Sequence, residues 1–179
     1  MQPLAFAVEH VIPVHVCCAE GLEAFAATFA QTVRRVLCDR RGWRRAGLRF
    51  CFPVHDAGAS GRGFRVELCT NAQVERECGA LAPVPMSCAF VDGRGRCLIN
   101  LTRWMGGSAA SGLALEEYRA YVINHEVGHL LGERHAPCAA AGAPAPVMLQ
   151  QTLGTRGCAP NPWPLREELE RVARRWRRL

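Results

Sequence analysis

From the N-terminus the apolar positions first come as an extended run. Residues 5 to 17 are rich in Val, Phe and Ile and predict a β-strand, with Pro13 predicting an edge position or a bend because proline cannot donate to a ladder. The period then changes. Leu22, Phe25, Phe29, Val33, Val36 and Leu37 recur at helical spacing and predict an amphipathic helix that packs on a sheet. After R-G-W, the stretches 48 to 54, 64 to 70, 86 to 91 and 96 to 101 predict four more strands, the last two joined by D-G-R-G, a hairpin signal. Helical periodicity returns from about Leu115 to Leu131, with Glu116 and Glu117 in the first turn, where carboxylates suit the positive end of the dipole. Residues 136 to 164 carry too much Ala, Gly and Pro for regular structure, and the Gly and Ser of loops 54 to 63 and 102 to 114 predict flexibility. A basic helix over about 164 to 178 closes the chain. Its Leu165, Leu169, Val172 and Trp176 form one apolar face, expected to pack on the body rather than on a membrane.

Composition narrows this α+β pattern to one expected domain over residues 1 to 179, with a core from about 5 to 165. The chain has 179 residues and is 49% hydrophobic, enough to bury a substantial core, and no internal repeat breaks it up. All 22 basic residues are arginine; against 16 acidic ones they leave a net charge of +6, with no nucleic-acid-binding motif beside it. No nucleic acid is expected as partner. M-Q-P-L-A-F-A-V-E-H lacks the charge and apolar pattern of a secretory signal, and no run of 18 apolar residues predicts a membrane span. Ten cysteines are many for a reducing compartment, and no C-x-x-C pair points to a cysteine-bound metal.

The chemistry concentrates in H-E-V-G-H-L-L-G-E-R-H at 125 to 135. On a helix, His125 and His129 are i and i+4, so their imidazoles lie on one face and can share a tetrahedral ion. Glu126 is rotated by about 100°, placed to act as a base on water rather than as a ligand. His135 would face away if the helix continued, so the chain must turn, and Gly132 is the residue that reaches left-handed backbone angles freely. Three neutral imidazoles leave a fourth position open, the arrangement of a catalytic zinc site.

H-E-x-x-H-x-x-G-x-x-H resembles the metzincin clan of zinc metallopeptidases, whose second hallmark is a methionine in a tight turn beneath the metal. Met148, in A-P-A-P-V-M-L-Q-Q-T, matches it. Beyond this, R-G-W, S-C, L-I-N-L-T-R-W, Y-R-A-Y-V-I-N-H-E-V-G-H, P-V-M-L-Q-Q-T and G-C-A-P-N-P-W-P resemble a family of uncharacterised bacterial metzincin-like domains over roughly residues 5 to 165. The resemblance implies a zincin-type α+β fold: a mixed sheet packed on an N-terminal helix and the active-site helix, followed by an irregular Met-turn region. It implies disulfides Cys78 to Cys88 and Cys138 to Cys158, the latter closing a loop around Met148. It also implies a secreted or cell-surface setting, since such members are mostly exported or membrane-anchored. Cys17, Cys18, Cys38, Cys51, Cys69 and Cys97 depart from its pattern, and several lie in apolar strand-like runs that predict buried free thiols.

The expected activity is zinc-dependent hydrolysis of a peptide or protein substrate by a monomer. His125, His129 and His135 hold one zinc ion that activates water and polarises the scissile carbonyl, while Glu126 moves the proton to the leaving amine. Many metzincins stabilise the oxyanion with a tyrosine after the methionine turn. Here L-Q-Q-T follows Met148, and Tyr118 and Tyr121 precede His125. Gln150 or Gln151 is read either as a donor to the oxyanion or as a stabiliser of the turn. Asn124 reads as a helix-surface residue, with support of the neighbouring ligand as the alternative. A zinc- and peptide-binding module without catalysis and a zinc amidase acting on a non-peptide or cell-wall amide stay open.

Overall fold

The computed structural model describes residues 10–53, 63–79, 84–91, 93 and 95–178. The predicted strand start at residue 5, most of loop 54 to 63 and half of the D-G-R-G turn lie outside them. Five strands make a single mixed sheet: β1 (His10–Cys18), β2 (Leu48–Cys51), β3 (Phe64–Cys69), β4 (Cys88–Ala89) and β5 (Arg96–Asn100), in the order β2-β1-β3-β5-β4. All neighbours are parallel except β4, which runs antiparallel to β5 at one edge. Parallel neighbours need crossovers, and the helix α1 (Ala26–Leu37) lies in the connection from β1 to β2.

Pro13 does not mark an edge strand. β1 lies inside the sheet, facing β2 with His10–Pro13 and β3 with Val14–Cys18. Proline stands where one partner gives way to the next, so its missing N–H falls at the changeover of the ladder. The predicted first helix forms as α1 behind a short 3₁₀ turn, burying Phe29, Val33, Val36 and Leu37.

Two helices interrupt segments that the apolar pattern left as strands and loops. The helix α2 (Asn71–Cys78) opens with a reciprocal cap, in which Thr70 Oγ1 accepts from Gln73 N and Gln73 Oε1 accepts from Thr70 N at 2.8 Å. The helix α3 (Leu101–Gly106) is capped by Asn100 Oδ1. The expected flexible loop 102 to 114 is therefore ordered. Its serines are buried, with Ser108 Oγ donating to Thr152 O and Ser111 Oγ to Ser108 O.

The predicted active helix is α4 (Leu115–Leu130). It packs on α1, β5 and β4, and Ala120 to Gly128 are buried on every side. A helix covered all round carries its polar groups inside the protein, which is how His125 and Glu126 come to lie there. The last helix, α5 (Arg166–Trp176), packs Leu169, Val172 and Ala173 into the same core, as its apolar face predicts. Among the described residues no helix is long and apolar enough to cross a membrane.

Both implied disulfides are present. Cys78–Cys88 joins the end of α2 to β4, and Cys138–Cys158 joins the two ends of the segment containing Met148. The other six cysteines are free, Cys69 and Cys97 buried and Cys38 exposed.

Candidate metal centre

Helix geometry and one turn bring the three histidines together. His125 and His129 stand one turn apart on α4; the helix ends at Leu130, and Gly132 with φ +92° sends the chain back so that His135 returns to them. One ligand-type atom from each of the three lies within 4.8 Å of the others, and His129 Nε2 is 3.2 Å from His135 Nε2. Two nitrogens bound to one tetrahedral zinc ion sit roughly 3.3 Å apart, so the spacing fits a shared metal ion.

The tautomers follow from the partners. His125 Nδ1 is 2.8 Å from Val147 O, and His129 Nδ1 is 2.9 Å from Glu133 O. A carbonyl only accepts, so each Nδ1 carries the proton and each Nε2 keeps its lone pair for a metal. Burial, and then repulsion from His129, pushes His125 down to about 3. Burial lowers His129 and His135 as well. All three rings are neutral near pH 7, the state a metal ligand requires.

Glu126 is buried beside them, and burial pushes its carboxyl up to about 8. Among the described residues it has no hydrogen-bond or ion-pair partner. A cavity of about 360 Å³ is lined by all four motif side chains together with Ser87, Cys88 and Ala89 around β4 and with Gln150 and Thr152. The Glu126 carboxyl thus shares one cavity with the three imidazoles.

Met148 is wholly buried, packed against Gly128 of α4. A Cβ on Gly128 would collide with its Sδ and come within 2.9 Å of the Trp43 ring. Gly128 is thus the opening through which methionine and tryptophan reach the helix between the two histidines. Trp43 also donates from Nε1 to Asn124 O at 3.0 Å.

Residues 8–161 match the family described as protein of unknown function DUF3152. The chain belongs to the DUF3152 family. No curated protein matches the sequence. The DUF3152 match includes His125, Glu126, His129, His135 and Met148, and it stops short of α5.

Several neighbours of the motif in this DUF3152 chain have structural roles. Asn124 is not on the helix surface: it is wholly buried, with Nδ2 donating to Pro162 O at 2.9 Å. The hydrophobic packing of α4 on all sides, invisible in a three-residue neighbourhood, overrides the polar character of that side chain. Gln151 stabilises the turn. Its Nε2 donates to Asn161 O at 2.8 Å and its Oε1 accepts from Asn161 N at 3.0 Å. Gln150, in contrast, lines the cavity. Tyr121 donates to Leu149 O and accepts from Gln151 N, while Tyr118 pairs with Thr152 Oγ1, so both hydroxyls serve the loop around Met148. Gly128 escaped the sequence reading, although a glycine inside a helical run is itself a signal of close approach.

Proposed function

We propose that this protein is a zinc-dependent peptidase of the metzincin type. The observation that carries the proposal is one cavity shared by three neutral imidazoles, two of them with Nε2 left unprotonated by their Nδ1–carbonyl hydrogen bonds, and the buried carboxyl of Glu126. Zinc bound there supplies Lewis acidity, which acidifies water and polarises a carbonyl oxygen. The protein's own groups do the rest. His125, His129 and His135 would hold the ion, and the carbonyl partners of His125 and His129 fix those two rings so that little reorganisation accompanies binding. A cation held by the three histidines would favour the ionised form of the Glu126 carboxyl that burial otherwise opposes, and in that form Glu126 takes a proton from the attacking water and hands it to the leaving amine nitrogen. Gln150 can donate to the carbonyl oxygen as negative charge develops on it. β4, at the sheet edge along the cavity, offers backbone groups to an extended peptide. The buried Met148, packed against Gly128 between the two helical histidines, supports the metzincin assignment, and two disulfides accord with an oxidising, extracellular setting.

The test compares wild type with Glu126→Ala at equal zinc occupancy, against a broad peptide library and a set of non-peptide amides. Loss of peptide hydrolysis by about 10²-fold or more with retained zinc is expected for a general base. Unchanged activity in the variant would sink the mechanism. Zinc binding without hydrolysis by the wild type would make the protein a binding module, and turnover confined to the non-peptide amides would make it an amidase.

A further inference from the structure

The carbonyls that orient His125 and His129 are themselves held, and both by α5, the helix beyond the family match. Glu168, Arg171 and Arg175 follow at i, i+3 and i+7, so one stripe of the helix presents all three. The Glu168 carboxylate is 2% exposed and accepts from three backbone amides: Met148 N at 2.9 Å, Val147 N at 3.1 Å and Leu165 N at 2.7 Å. The Met148 N–H and the Val147 C=O belong to the same planar peptide group. A continuous line therefore runs from the Glu168 carboxylate through that peptide to the Nδ1–H of His125. Negative charge at one end of a hydrogen-bonded peptide makes its carbonyl a stronger acceptor at the other.

The same helix grips the second ligand. Glu133 accepts the Nδ1–H of His129 with its backbone oxygen, while its buried carboxylate receives Arg171 at 2.7 Å and Arg175 at 3.3 Å. Arg175 also donates to Leu131 O at 3.1 Å, spanning the turn at Gly132, where a Cβ would lie 2.5 Å from its guanidinium. The glycine serves the turn and the passage of the arginine together.

The geometry points to α5 as the positioning element of the metal centre, with Glu168 acting on His125 through the Val147–Met148 peptide and Arg171 and Arg175 acting on His129 through Glu133. This rests on the reading of the triad as a metal site. The experiment measures zinc affinity by competition with a chromophoric chelator, and the visible absorption of the cobalt(II)-loaded protein, on the full chain. Glu168→Gln and the double variant Arg171→Gln/Arg175→Gln are each expected to weaken zinc by about 10- to 100-fold and to shift the cobalt bands. Leu169→Ala removes core packing on the same helix without touching either carbonyl; it is expected to lower the melting temperature yet leave zinc affinity within about twofold of wild type. Zinc affinity and cobalt spectra unchanged in both polar variants would overturn the inference, as would a loss in Leu169→Ala equal to theirs. Should Glu168→Gln fail to fold, the arginine pair, each about half exposed, decides alone. A wild-type chain that binds no zinc would fell the reading of the triad first.

Discussion

At the residue scale, the grouping of His125, His129 and His135 and the place of Glu126 in their cavity were legible because both depend on spacing along a helix and one turn, and spacing is written in the chain. Asn124 and Gly128 were not, because their roles depend on what the fold brings to them from residues 43, 148 and 162. Gly128 puts this on a quantitative footing. A glycine inside a helix is ordinarily worse than alanine by about 1 kcal/mol, so alanine would stabilise an open helix. Here the added methyl meets Met148 and Trp43. Gly128→Ala is therefore expected to cost about 1–3 kcal/mol by overpacking, a fall of about 3–10 °C in melting temperature for a chain of this size. Thermal denaturation of the metal-free protein measures it. A melting temperature equal to or above wild type would refute the packing argument.

At the scale of elements, long periodic segments were legible and short ones were not. α1 and α4 carry enough turns for their apolar spacing to stand out, whereas α3 has too few residues to show a period and is announced only by Asn100 as its cap. α2 had a readable signal in the T-N-A-Q capping box, which its polar sequence obscured. The edge placement of β1 failed for a different reason: strand order is a property of pairing, and Pro13 fits the interior only because the partner changes there. The irregular segment from 136 to 164 was legible as such, yet it is tightly organised by the Asn161 and Gln151 amides and by Cys138–Cys158. That disulfide closes a separation of 20 residues. Replacing both cysteines by serine is expected to reduce stability by about 3 kcal/mol in the loop-entropy description, seen as a lower midpoint in denaturant. An unchanged midpoint would mean that the buried amide network holds the segment without the bridge.

At the scale of the whole molecule, one apolar cluster runs from Ile12 in β1 to Ala173 in α5 and includes Val127 of the helix that carries His125 and His129. Removing α5 would uncover the surfaces that Leu169, Val172 and Ala173 bury and leave the Val147 and Met148 amides without their acceptor. A chain ending at Asn161 is accordingly expected to lose its cooperative thermal transition and to bind hydrophobic dyes, as measured by calorimetry and dye fluorescence. A sharp transition close to that of the full chain would contradict this.

That last helix also separates two notions of a boundary. The portion of the chain that matches the family ends at residue 161, where the histidines, the glutamate and the methionine have all been collected. The portion that is mechanically complete ends later, because the rigidity of the ligands is borrowed from side chains beyond that limit. Relatives that share the motif but differ after it would inherit the same tools mounted on a different handle, and their affinities for metal would diverge while their signature residues stayed the same.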